Sequence, residues 1–486
     1  MRRARIWCPG NAPDVPDVIS SVRLACAAAA ALALAVTVGC AGTTSAGGHG
    51  HATGSAAPAS AATARPSSSS AASPRNVRGE LAFVAYGKLY LRGGPAGGPR
   101  QVVLPGLAYA PAWSADGRWL AVEVSSPPPA SQPYLRTPAT LWLVTAAGTG
   151  ARPLTPASWQ VSGFSWAPDR DQLAVTAYLP QAPQARSYLT AAVAPTGQPR
   201  ILITGGYLTE PGWSPDGRRL AVGLGTFTGG QWHSALDVLS VTGGAPAVVT
   251  ATTQNVLELA GWWPDGQGLL YWLDYQGSAS IAADGLPLDS VALGGRPPRT
   301  LVPAMLVHGS WLAFSPHGTA LAAVSGGNRV IWSGGKQITL CVTAGPCTPV
   351  AQPAGVVSVG PSWSPGGTAI VFARLSASGP FGPNGHADFS PYWITRWEAT
   401  SRLWTVGASG SGARPVAGAG PGAVDPVWGR DGSLLFVRDD SLWLLPPGAA
   451  TATRLTGPLG ALSGEAYYRT YYGYVPYSQL FAWTLS

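Results

Sequence analysis

Apolar residues along this chain fall into short runs broken by Gly, Pro or Asp-Gly, and no helical period is sustained. Runs of that kind predict short β-strands joined by tight turns. One stretch sets the pattern: Trp213-Ser214-Pro215-Asp216-Gly217, then two arginines, then Leu220-Ala221-Val222. An aromatic ends one strand, Pro presets φ, Asp accepts hydrogen bonds from the turn backbone, and Gly takes positive φ before the next strand begins. The stretch therefore reads as a β-hairpin.

The same order of residues returns at Trp113, Trp166, Trp262, Phe314, Trp363 and Trp428, at intervals of roughly 47 to 65 residues. Repeats of this length that hold only strand signals point to propeller blades. The residue before each aromatic is Ala112, Ser165, Gly212, Gly261, Ala313, Ser362 or Val427, nearly always small, as expected where inner strands crowd an axis. An eighth copy, Leu480-Phe481-Ala482-Trp483-Thr484, ends without following strands. Three strand-like runs near the other end, Leu81 to Ala85, Lys88 to Arg92 and Arg100 to Leu104, lack an inner strand of their own. Joining the two ends gives a composite blade and leaves no open ring. The predicted fold is all-β: a single propeller over 79–486, eight-bladed, or seven-bladed if one copy is degenerate.

These repeats resemble the WD40-like repeats of TolB-type propellers, and the ending Tyr471-Tyr-Gly-Tyr474 with Phe481-Ala-Trp483 is similar to the propeller of actinobacterial LpqB-type lipoproteins. The resemblance covers about Gly79 to Ser486. It implies contact with envelope machinery such as the extracellular part of a sensor kinase. The small α/β domain of TolB and the extra domain of LpqB-type proteins have no counterpart in the sequence.

Ahead of the repeats, residues 1–39 read as a secretory leader, with Arg2, Arg3, Arg5 and Arg23 preceding an apolar run from Leu24 to Val38. The run ends Thr37-Val38-Gly39-Cys40, which resembles a lipobox, so Cys40 is the expected lipidation site. The expected location is then the outer face of the cytoplasmic membrane, with the N-terminal lipid as the membrane contact. Residues 40–78 are Gly, Ala, Ser, Thr and Pro with little apolar bulk, a flexible tether that cannot offset its ordering entropy. His49 and His51 lie in it without Cys or carboxylate neighbours, and no metal is expected there. The net charge of +8 is spread, with Lys88 and Lys336 the only lysines, so a nucleic-acid surface is not expected.

Because the motif turn joins strand a to strand b of a blade, it assigns the faces of the ring. Asp116, Asp169, Asp216, Asp265 and Asp431 fall on a tight-turn face and read as structural. The long connections leave from the other face. Among them, Arg374 to Arg402 carries Phe381, Phe389, Tyr392, Trp393 and Trp397, and the last connection carries Tyr468, Tyr471, Tyr472 and Tyr474. These rings are the candidate partner-binding residues, for an envelope protein or a glycan, or else a lid packed on the ring. Glu210, Glu258, His308 and Asp425 precede inner strands and are expected at the channel mouth, where carboxylates could serve as acid and base. Cys341 and Cys347 flank a strand c to d turn and suit a disulfide. No Gly-x-Ser-x-Gly elbow, phosphate loop or His-Glu-x-x-His motif is present, so no catalytic residue, cofactor or metal is expected, and a monomeric binding scaffold is the leading reading.

Overall fold

The computed structural model describes residues 80–93, 97–127, 137–183, 186–343, 345–381, 386–463 and 470–484. The leader, the tether with Cys40, His49 and His51, and Tyr468 lie outside the described residues.

The described strands form eight separate antiparallel sheets, each a blade. In seven of them the strand order follows the chain, beginning with Leu107–Trp113, Trp119–Ser125, Ala139–Thr145 and Arg152–Pro153 in blade 1. Blade 8 takes its inner strand, Phe481–Trp483, from one end of the chain and its outer three, Glu80–Ala85, Lys88–Gly93 and Arg100–Val102, from the other. Leu81 faces Trp483 and Phe83 faces Phe481 across this joint. Thr484 closes it by donating its backbone N–H to the Glu80 carbonyl at 3.1 Å and accepting from the Glu80 N–H at 2.9 Å.

The motif turns form for the reasons their residues give. Asp216 accepts from Ser214 Oγ at 2.5 Å and from the Arg218 N–H at 3.1 Å, while Ser214 Oγ accepts from the Arg219 N–H at 2.9 Å. Gly217 takes φ of +67°, which a side chain would strain. The Ser114 and Asp116 turn repeats these bonds. Where Asp is missing, Ser364 alone accepts from the Thr368 and Ala369 N–H groups.

The tryptophans do more than pack. Each of five motif indoles donates to the carbonyl of the residue that precedes the aromatic in the neighbouring blade: Trp166 to Ala112, Trp213 to Ser165, Trp262 to Gly212, Trp363 to Ala313, and Trp113 to Ala482, at 2.9 to 3.2 Å. The small residue before each aromatic is thus the acceptor for the next blade. Trp113 reaching Ala482 carries the same bond across the joint of the chain ends. Apolar clusters fill the spaces between blades: blades 1 and 2, 2 and 3, and 3 and 4 each share a separate core, and one continuous core runs from blade 4 through blade 8 into blade 1.

Most inner strands also bulge just before the motif. Ala110, Gly360 and Asp425, each three residues ahead of its Trp, take φ of 47°, 65° and 45°. A bulge turns a side chain away from the pleat. In blade 7 that side chain is a carboxylate.

Candidate functional site: the lidded mouth on the loop face

The described end of the last connection, residues 470–480 leading to the inner strand of blade 8, runs across the mouth of the ring rather than around it. Tyr471 donates its hydroxyl to the Ala283 carbonyl in blade 4 at 3.0 Å. Tyr474 shares a hydrogen bond with Ser310 at 2.7 Å in the connection between blades 4 and 5. Gln479 bonds the Tyr109 hydroxyl of blade 1. A segment held at once by blades 1, 4 and 5 is a lid.

The insertion of blade 6 supports it. Pro391–Glu398 is a helix, started by Pro at its first turn, with Ile394 and Trp397 buried beneath it. The Trp397 indole donates to the Ser376 carbonyl at 2.8 Å. From there rings follow one another at 4.5 to 5.6 Å: Trp397, Trp332, Phe389, Tyr472, Tyr471, His308 and Tyr474. Aromatic pairs at such spacings add stabilisation beyond their buried area. Trp332 belongs to a loop of blade 5 held from below by Lys336, a fully buried lysine. Its ammonium donates to the carbonyls of Gly327, Asn328, Val330 and Ser333 at 2.6 to 3.1 Å. Burial pulls its pKa down to about 7, and these four acceptors work against that pull.

Beneath the lid sit acids. Glu398, the last residue of the helix, accepts from the Tyr477 hydroxyl at 3.1 Å. Asp425 points from its bulge over Gly360 of blade 6, where a Cβ would lie 3.3 Å from Asp425 Oδ1. Its Oδ2 is shut off from solvent with no hydrogen-bond partner. Burial raises Glu398 to about 8, helped by the like charges of Asp425 and Asp440. It raises Asp425 to about 7, against a backbone bond from Ser478. Asp440 is raised by the same cause, although it accepts from the Gly460 and Ala461 N–H groups. Burial lowers His308 to about 3, so it stays neutral at physiological pH. Glu398, Asp425, Tyr474 and Tyr477 line a cavity of about 20 Å³, the room one water needs. A sugar ring or peptide does not fit there while the lid is in place.

Of the four residues expected at the channel mouth, His308 and Asp425 both lie beside Tyr474: the His308 ring is 4.5 Å from its ring, and Asp425 shares the small cavity with it. Glu210 lies beside Gly163 of the inner strand of blade 2, and Glu258, on the inner strand of blade 4, stands opposite Trp272. Glu398 completes the acidic group. It went unassigned in the sequence because only the folded insertion carries it under the lid.

The expected aromatic patch divides in two. Trp397, Tyr471 and Tyr474 are buried, and Phe389 and Tyr472 are half-buried between their neighbours, so these five follow the alternative of a lid packed on the ring. Phe381 and Tyr392 remain 57% and 61% exposed. Trp393 is half-buried, 5.0 Å from the Tyr392 ring, and the Arg396 guanidinium lies 5.6 and 5.8 Å from the two ring centres. Of the candidate rings, Phe381, Tyr392 and Trp393 are the ones left accessible, the last two with Arg396 on the outer side of a helix fixed from within.

Cys341 and Cys347 are joined by a disulfide across strands c and d of blade 5. Among the described residues no group of three metal-ligating side chains occurs, and no helix is long and apolar enough to cross a membrane.

No protein-family model matches the chain, and no curated protein does. Among solved structures it is similar to a putative TolB from Agrobacterium tumefaciens, at 18% identity over 76% of this chain and 98% of that one, TM-score 0.33. It is similar to the β-propeller domain of the Trilobed protease from Pyrococcus furiosus, at 9% identity over 72% and 98%, TM-score 0.41. A puromycin-hydrolysing peptidase from Mycobacterium tuberculosis is similar at 15% identity, with 77% of this chain covering 59% of that one, TM-score 0.42. The eight blades themselves define the fold.

Proposed function

We propose that the protein is a binding scaffold of the cell envelope, tethered through lipid on Cys40 to the outer face of the cytoplasmic membrane. Its partner is an envelope protein held at Phe381, Tyr392, Trp393 and Arg396. One observation carries the reading: the helix Pro391–Glu398 is fixed by two buried side chains and presents an aromatic pair with an arginine on its outer side. Aromatic and arginine anchors on a rigid base lose little freedom on binding, and such residues dominate protein interfaces. The water-sized cavity under the lid favours this outer surface over the mouth as the place of contact. A photo-crosslinking residue at position 392 in living cells is expected to give a discrete adduct with one envelope protein, lost in Trp393→Ala. Position 216, on the tight-turn face, is expected to give none. Equal adducts at both positions argue against the platform. Cys40→Ala is expected to release soluble protein, and its retention in the membrane fraction argues against the lipid anchor. A glycan is the second reading, since an exposed Tyr ring also stacks on sugars. Binding to an envelope-glycan array that Tyr392→Ala abolishes, with no protein adduct, selects it.

A further inference from the structure

Neighbouring strands of a blade alternate in direction, so the turns from strand c to strand d lie on the same tight-turn face as the motif turns, at its outer rim. In five of the eight blades strand d opens there on an arginine: Arg100, Arg152, Arg200, Arg299 and Arg414. Arg152 is half-buried and the other four are exposed. None of the eight c to d turns contains Asp or Glu, and one adds Arg296. The acids of this face stand nearer the axis, in the a to b turns, where Arg118 pairs with Asp116 and Asp171, and Arg170 with Asp169. The rim is a ring of positive charge around a mixed centre. Part of the recurrence is structural, since Arg299 donates to the Thr343 carbonyl in the turn of blade 5 at 3.3 Å. A carbonyl leaves the charge whole, however, and Arg152, Arg200 and Arg414 make no side-chain hydrogen bond or ion pair among the described residues.

We propose that this rim is a docking surface for an anionic phospholipid bilayer, on which the ring lies flat. Two observations select a bilayer. The described fold begins at Glu80, which bonds Thr484 just past the motif residue Trp483, so the chain that leads from Cys40 reaches the ring on this same face. The arginines also stand on all sides of the ring, with Arg200 in blade 2 opposite Arg414 in blade 6, which suits a flat field of phosphates and not a single anion. Each cation near such a surface multiplies the binding, and the attraction reaches only about 8 Å at physiological salt. Alone the contact is therefore reversible, and it orients a tethered ring without anchoring it. The inference deepens the envelope reading, because it needs a membrane within reach, but it does not need lipid on Cys40. With this face on the bilayer, the platform on the helix Pro391–Glu398 looks away from the membrane.

Co-sedimentation with vesicles at low salt tests it on the full chain carrying Cys40→Ala, so that acylation enters none of the comparisons. Binding to phosphatidylcholine vesicles with about 30% phosphatidylglycerol is expected to exceed binding to phosphatidylcholine alone by about tenfold or more, and to fall as NaCl is raised. Arg200→Gln together with Arg414→Gln is expected to lower binding to the anionic vesicles by about tenfold. Arg186→Gln, exposed in the connection between the second and third strands of blade 2 on the loop face, is expected to leave it unchanged. Unchanged thermal melts verify the fold of the variants. A double variant that binds like its parent overturns the proposal, and so does an equal loss in Arg186→Gln. Soluble polyphosphate held by Arg200 and Arg414 as tightly as the vesicles assigns the rim to an anionic polymer and overturns the bilayer. A failed lipid anchor is told apart, because it shows in the fate of Cys40→Ala in cells and moves none of these comparisons.

Discussion

On the face where strand a turns into strand b, the blades repeat one set of bonds, such as Ser214 and Asp216 holding the Arg218 and Arg219 N–H groups. On the opposite face the connections differ from one another, and two of them cross or cover the mouth. The turns of the first face are formed by contacts within five residues of sequence, and arginines tie neighbouring turns together, as Arg219 does to the Gly266 carbonyl at 3.3 Å. The second depends on contacts such as Tyr477 to Glu398 and Tyr471 to Ala283, 79 and 188 residues apart. The tight-turn face sets the ring, and the lid is an added layer whose acids would be better solvated if it opened. The repeat therefore closes the ring, and the lid carries the acids whose pKa values are raised to about 7 and 8.

The largest effects test whether both layers are load-sharing parts of one fold. Trp213→Ala removes a buried ring, its bond to Ser165 and its stacking under Arg170, and is expected to cost about 3 to 5 kcal/mol in a denaturant melt. Trp397→Ala in the lid helix is expected to cost a similar about 3 to 5 kcal/mol if the lid unfolds with the ring. A Trp397→Ala melt that keeps the wild-type midpoint while the lid loses protection from hydrogen exchange would separate the layers instead. Tyr392→Ala, one turn away but exposed, is expected to stay within about 0.5 kcal/mol of wild type.

Next in size is a pH effect from the acids under the lid. Glu398 and Asp425 hold protons in the folded state that the unfolded chain releases above its ordinary carboxylate pKa values of 4.5 and 3.8. Their contribution is therefore full below those values and is lost as pH rises through about 7 to 8. His308 acts in the opposite sense: its folded pKa of about 3 costs stability as pH falls below 6.5. The difference between wild type and Glu398→Gln isolates the acid. Relative to the variant, wild type is expected to lose thermal stability between pH 5 and 8, and parallel curves would show that Glu398 titrates normally.

The smallest effect belongs to a single turn. Asp216→Ala is expected to cost about 1 kcal/mol, because the turn keeps Ser214 and Gly217. The Ser214 hydroxyl, with the Arg218 N–H, holds the Asp216 carboxyl below the usual range, so this stability is present above its ordinary pKa of 3.8 and lost as pH falls through the lower folded value. A cost as large as that of Trp213→Ala would mean that the turn, not the indole, holds the blades.

The same contrast explains what the sequence made legible. Blade number, the composite blade and the faces follow from residues close together, because Trp, Asp and Gly perform one local task each time. The reason for Ala112 or Ala482 before the aromatic was only half visible: crowding predicts a small residue, but the indole-to-carbonyl bond needs the neighbouring blade. Closeness of the Arg374 to Arg402 insertion and the tyrosine segment also follows from ring order, and Phe389 lies 5.6 Å from Tyr472. Which rings face inward does not. Tyr392 and Trp397 sit on one short helix, and only its docking on Ser376 and Trp332 decides that one is exposed and the other buried.

The central claim is that the loop face is a closed lid with an aromatic platform outside it. Hydroxyl-radical footprinting of the free protein near pH 6 tests this directly, residue by residue. Tyr392 is expected to oxidise rapidly, with Tyr474, Tyr477 and Trp397 protected. Oxidation of Tyr474 and Tyr477 as fast as Tyr392, in protein whose melt is intact, would contradict the lid.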